Sequence, residues 1–147
     1  MKRNLLVWLL FLGVASFFAH DVSAGCAVVL GSNGVYAYAF GGGLSRTAAE
    51  QKAVQLCSKK GGVDIKVISS ADGGGYSAIA VSGKGKEAVL GCSLSAGNPS
   101  LVDSNAIQDC KRKGGANPHI VNGWRQLGGA RGGHNTGQTS GQGSGKL

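Results

Sequence analysis

Four cysteines, three histidines and seven acids carry the reactive chemistry of this 147-residue chain. His119 stands nine residues after Cys110, and Asp109 precedes that cysteine. A Cys/His hydrolase can be drawn from these three, with thiolate as nucleophile, imidazole as base and carboxylate as orienter. Yet Cys110 has a counterpart, Cys57, in matching surroundings 53 residues earlier, and a duplicated cysteine reads as structural. Acid–base hydrolysis of glycosides fares no better, because Glu50 and Asp103 both fall where a helix start needs them. The glycine runs "FGGGLS" and "ADGGGYS" continue into neither a GK[ST] nor a GxGxxG pattern, so no nucleotide cofactor is expected. No CxxC or Cys/His spacing suggests zinc. The expectation is no catalytic residue, no metal and no cofactor.

The compartment follows from the first 24 residues. Lys2 and Arg3 precede an apolar run, Asn4 to Ala19, and "HDVSA" ends in Val22-x-Ala24, a signal-peptidase pattern. Sixteen residues are fewer than the roughly 20 that span a bilayer. Residues 1–24 therefore read as a signal peptide, and the rest as exported to the periplasm or beyond. The alternative is a lipoprotein: Ser23-Ala24-Gly25-Cys26 resembles the end of a lipidation box, and only lipidation of Cys26 would tie the chain to a membrane. Cleavage after Ala24 leaves 13 basic against 6 acidic residues, a net +7. Such a surface is drawn weakly to anions, or is merely soluble. The four cysteines that remain, Cys26, Cys57, Cys92 and Cys110, are read as two disulfides with three possible connectivities.

The elements that position these groups come in two sets. At an offset of 53, Ala53, Gln55, Cys57 and Lys60-Gly61-Gly62 match Ala106, Gln108, Cys110 and Lys113-Gly114-Gly115. Thr47-x-x-Glu50 and Ser100-x-x-Asp103 read as a capping box and an approximate one. Ala49, Ala53, Leu56 and Cys57, then Val102, Ala106, Ile107 and Cys110, recur at helical spacing. Each helix ends in a basic run and a glycine pair suited to a left-handed stop. "CAVVL" and "VYAYAF", joined by "GSNG", precede the first helix, and "DIKVISS" follows it. "YSAIAVS" and "EAVLGCSL" precede the second, and "HIVNGW" follows. The spacing predicts an α+β domain over 25–125: two ββαβ repeats, about 25–70 and 76–122, forming one mainly antiparallel sheet with two helices on one face and disulfides as staples.

The run from "GCAVVL" through "LSRTAAEQKAVQLC", with "DGGGYSAIAVS" and the second Ala/Cys helix, resembles a bacterial exported family, domain of unknown function 4189. The resemblance covers about Gly25 to Asn122 and implies the duplicated fold and export, with no catalytic residues to carry over. Members often hold a second cysteine shortly after each helix, where this chain has Val63-Asp64 and Asn117-Pro118. That puts the family's pairing within each repeat in doubt. A pseudo-two-fold axis joining the equivalent helix ends favours Cys57–Cys110 with Cys26–Cys92.

Three surfaces are candidates for binding. Lys59, Lys60, Lys111, Arg112 and Lys113 form a cationic patch if the two helix ends share an edge; otherwise they only complement two helix dipoles. Gly73, Gly74, Gly75 and Tyr76 form a possible contact loop. The segment 126–147 is rich in Gly, Ser and Gln without apolar period and reads as a disordered tail. Aromatics are too few and too strand-bound for a nucleic-acid platform. The expected function is a non-catalytic protein-binding module of the envelope, of inhibitor or immunity type, with binding of an anionic polymer as the alternative.

Overall fold

A computed structural model describes residues 24–126 and 141–147. All but Ala24 of the expected signal peptide lie outside the described residues, as does the segment 127–140. Among the described residues no helix is long and apolar enough to cross a membrane.

Strand β1 (Ala24–Leu30) turns through Asn33-Gly34 into β2 (Val35–Gly42), with Gly34 at φ 81°. Helix α1 (Arg46–Lys59) leads to β3 (Lys66–Ala71). The same order recurs in β4 (Gly75–Ser82), β5 (Val89–Ala96), α2 (Pro99–Arg112) and β6 (His119–Gln126), and a last strand, β7 (Gly141–Lys146), follows. The sheet expected to be single is two. One has the order β3-β1-β2-β7 and the other β5-β4-β6, every pairing antiparallel. Within each, the third strand of the set flanks the first, and the first flanks the second.

The helices do not share a face either. Ala27, Val29, Val35, Ala37 and Ala39 pack against Ala49, Ala53 and Cys57 of α1, while Ala78 and Ala80 pack against Val102, Ala106 and Cys110 of α2. The alternate residues Val28, Ile79, Val81 and Leu90 meet between the two sheets. The layers therefore run α1, first sheet, second sheet, α2. The reason lies in the strands. "CAVVL" and "AIAV" are apolar at every position, the mark of a strand covered on both faces. Helices on one face of one sheet would leave Val28, Ile79 and Val81 in water, at a cost of ~1.5–3 kcal/mol each. The outer seams use small residues so that the helices can come close: a Cβ on Gly91 would sit 2.2 Å from Cys110 N.

Both helix starts differ from the expected boxes. Ser45 caps α1, its Oγ accepting from Ala48 N at 3.1 Å, and Glu50 instead accepts from Ser70 Oγ. Asn98 caps α2, accepting from Ser100 N at 2.9 Å, with Pro99 at the first helical position. The stops are as expected and identical. Gly62 N donates to Cys57 O and Gly61 N to Ser58 O; Gly115 N donates to Cys110 O and Gly114 N to Lys111 O. Gly61 and Gly114 take φ 82° and 100°, which defines a Schellman motif at each end.

The expected disulfides are absent: all four cysteines are free thiols, with no pair at disulfide distance. Cys57 and Cys110 lie on opposite outer seams with both sheets between them, and sheets stack about 10 Å apart. Each thiol donates to a carbonyl of its own seam, Val35 O or Val89 O, at 3.3 Å. Cys26 turns to Ser95 Oγ, 3.6 Å away. Cys92 stands three residues back along that strand, roughly 10 Å. These thiols behave as small apolar wedges.

The tail also departs from expectation. Residues 141–146 are a strand on the β2 edge, and Gln126, 2 % exposed, is an interior residue of β6's end.

Candidate functional site

The cationic patch does not assemble. Lys59 and Lys60 end the helix on one outer face, and Lys111, Arg112 and Lys113 end the helix on the other. Lys113 Nζ lies 2.7 Å from Asp109 Oδ2 and Arg112 3.4 Å from Oδ1, so one carboxylate meets both charges. Asp109 also accepts from Cys92 N at 3.0 Å. Burial opposes its charge, but the hydrogen bonds from Lys113 and the Cys92 amide, with both cations, hold its carboxyl below the ordinary range. The Gly73–Tyr76 segment is engaged as well. Gly73 O accepts from Ser95 Oγ at 2.9 Å, and Tyr76 packs on the α2 seam under the Arg125 guanidinium, 5.4 Å from the ring centroid.

Cys110, Asp109 and His119 form no triad. The Cys110 thiol is buried and directed at Val89 O, while His119 is exposed on β6. Burial raises the pKa of all four thiols and pushes Cys92 up to about 12, against the pull of Lys113. A thiol so placed is a poor nucleophile at neutral pH. Around Cys26 lies a hydroxyl cluster at a bulge: Ser95, at φ 55°, donates its N–H to Ser77 Oγ at 3.1 Å. With its thiol held protonated by burial, this cluster reads as internal wiring of the bulge. Among the described residues no group of three His, Cys, Asp or Glu could hold a metal ion.

The arrangement with clear recognition geometry is at the β2 edge. Tyr36, Tyr38 and Phe40 alternate with Ala37 and Ala39, which face α1, so the three rings line the inter-sheet side. Opposite them in register stand Gly145, Gly143 and Gly141. A Cβ at Gly141 would fall 2.4 Å from Phe40 Cζ, at Gly143 2.3 Å from Tyr38 Oη, and at Gly145 2.6 Å from Tyr36 Cε1. The rings lie where the side chains of the added strand would otherwise be, an aromatic cover over glycine. Trp124 of the second sheet fixes that cover, stacked 5.1 Å from Tyr38 and 5.0 Å from Phe40. Beside it, Gln126 Nε2 donates to Gly25 O and Gly41 O at 3.1 and 3.3 Å, tying β6 to β1 and β2. At the far end Leu147 N donates to Gly34 O and Leu147 O accepts from Gly85 N, at 3.1 and 3.0 Å. Such a site can bind an extended segment through its backbone and reject bulk at every second position. The signal was present as "GQGSG" against "YAYAF", two period-2 patterns that interlock, but the glycines pass for low complexity when read alone.

A chain of two face-to-face antiparallel sheets between two helices, closed by a glycine strand, is the class of protein that results. The chain belongs to the family described as domain of unknown function (DUF4189), whose profile matches residues 22–125. No curated protein and no solved structure matches it. The family match ends at Arg125, so the β2 edge lies inside the matched segment and the strand that covers it lies outside.

Proposed function

We propose that this chain is an exported, non-catalytic protein-binding module that takes an extended segment of another envelope or secreted protein as an added strand along β2. The observation that carries the reading is the register of Gly141, Gly143 and Gly145 beneath Phe40, Tyr38 and Tyr36. Backbone hydrogen bonds supply affinity in such strand addition, and alternate side-chain positions supply selectivity. Export is supported by the basic start, the apolar run and the Val22-x-Ala24 site. The non-catalytic reading is supported by the buried, protonated thiols. Descent of the two halves from one copied unit is supported by their equal strand order and their identical cysteine–glycine helix stops. Binding of an anionic polymer has less support, since the basic helix ends lie on opposite faces and Asp109 meets two of the charges.

The test uses the full chain carrying Gly141→Val and Gly143→Val, which makes β7 collide with the Phe40 and Tyr38 rings. A labelled peptide, Gly-Gln-Gly-Ser-Gly-Lys-Leu, is titrated into it and followed by fluorescence anisotropy. Saturable binding of this peptide, with none for the version bearing valine in place of its glycines, supports the reading. Equal binding of both peptides, or of neither, ends it.

A further inference from the structure

We propose that residues 141–147 are a displaceable occupant of the β2 edge, a built-in competitor that closes it to glycine-alternating segments of other chains. The inference rests on the strand-accepting reading above and adds how access to the edge is controlled. The ligand it excludes is an extended peptide with glycine at three alternate positions, because only glycine fits under Tyr36, Tyr38 and Phe40 in this register.

Three observations point to an occupant that can leave, distinct from an integral strand. First, β7 pairs on one side only, at the sheet edge, whereas β1 and β2 pair on both. Its departure breaks one ladder and the bond from Gly85 N to Leu147 O. Second, the three glycines contribute no side chains of their own to the inter-sheet core. The Trp124, Tyr38 and Phe40 rings that stack there lie outside the strand, and Leu147 is the side chain of 141–147 that packs against this core. Third, attachment is generous. Gln126 reaches Gly41 O, and Gly141 pairs with Phe40, so the two ends of the connection start close together. The fourteen residues between them could extend to roughly 46 Å, so the connection does not force β7 onto its own edge. A segment on the same chain competes intramolecularly, without dilution. A free peptide therefore meets an edge that is mostly filled, and its apparent affinity falls by the fraction left open.

The experiment compares the unsubstituted full chain with the Gly141→Val/Gly143→Val chain, using the same labelled Gly-Gln-Gly-Ser-Gly-Lys-Leu peptide. The expected result is binding to the substituted chain roughly tenfold or more tighter than to the unsubstituted one. Equal, saturable binding to both overturns the occupant while leaving the strand-accepting reading intact. Binding to neither, with unchanged near-UV circular dichroism, removes both. Light scattering at the same concentrations checks the remaining outcome: if the substituted chain dimerises through its bare edges and takes no peptide, the edge serves self-association and the inference fails. Hydrogen exchange on the unsubstituted chain is a second measure that needs no substitution. The amides of β7 should exchange through local opening, at least a hundredfold faster than those of β1. Protection of β7 equal to that of β1 would show a strand that leaves only on global unfolding, and would also overturn the proposal.

Discussion

The indole of Trp124 stacks on the ring of Tyr38 at 5.1 Å with the planes 11° apart, and so joins β6 of one sheet to β2 of the other. Its Nε1 is buried without a hydrogen-bond partner among the described residues. The ring thus acts through its faces. Trp124→Ala should destabilise the fold by about 3 kcal/mol, whereas Trp124→Phe, which keeps a face and gives up no hydrogen bond, should cost less than about 1.5 kcal/mol. Urea unfolding followed by far-UV circular dichroism measures both. Equal losses would show that the ring is held by its polar edge.

Each helix stop is a cysteine wedged under a glycine, and that makes a coupled pair. A Cβ on Gly62 would meet Cys57 Sγ at 2.5 Å, and one on Gly115 would meet Cys110 Sγ at 2.7 Å. Gly62→Ala alone should cost about 1–3 kcal/mol by overpacking. Combined with Cys57→Ala it should cost less than the two single losses together, by about 1 kcal/mol. Additive losses in a double-mutant cycle would mean that the carbonyl of Cys57, and not its sulfur, sets the limit.

Alkaline pH should loosen the fold from a defined point. All four thiols have raised pKa values in the folded chain, by burial first, and Cys92 stands at about 12 against an ordinary 9.0. Between those values the unfolded chain has released protons that the folded chain retains. Stability is therefore fully present below about pH 9 and is lost as pH rises toward 12, at most about 1.4 kcal/mol per pH unit for each thiol. Urea midpoints from pH 7 to 10.5 should be level and then fall. Cys92→Ala should flatten the fall, and an unchanged slope would assign it to other groups.

Asp109 predicts the opposite limb. Its carboxyl is held low in the folded state despite burial, through Lys113, the Cys92 amide and Arg112. Its contribution is present above the ordinary carboxylate range and disappears as pH falls through the lowered folded value. Asp109→Asn should cost about 1–2 kcal/mol at pH 7 and little at pH 2. Equal losses at both pH values would show that the ion pair with Lys113 contributes nothing.

Much of the fold could be read directly from residue order. The apolar spacing of Ala49, Ala53 and Cys57 placed α1, and the Lys-Gly-Gly runs placed both helix stops, because these are local patterns with local causes. Six strands and the Asn33-Gly34 turn were legible for the same reason. The division into two sheets was not, since it depends on which strands pair and β1 does not announce that it meets β3 rather than β4. A hint lay in the doubly apolar run "CAVVL", which asks for cover on both sides. The β2 edge is hidden for another reason: Tyr36, Tyr38 and Phe40 read as strand residues and Gly141, Gly143 and Gly145 as part of a disordered tail, and only their pairing over a hundred residues gives either set a meaning. The cysteine pairing is not legible because equivalence in sequence is not proximity: Cys57 and Cys110 are buried in the two helix–sheet seams, on opposite sides of the paired sheets.

The covering strand lies outside the segment that family similarity marks out, and this bears on how the protein behaves in a tube. A chain trimmed at Arg125 keeps every residue of the matched segment and uncovers six consecutive backbone positions along Val35–Phe40. An uncovered, ring-lined edge of that length invites edge-to-edge pairing between molecules. Shortening the protein to its recognisable domain should therefore make it cloud on concentration more readily than the full chain, and the clearance of that haze by added Gly-Gln-Gly-Ser-Gly-Lys-Leu would be visible by eye.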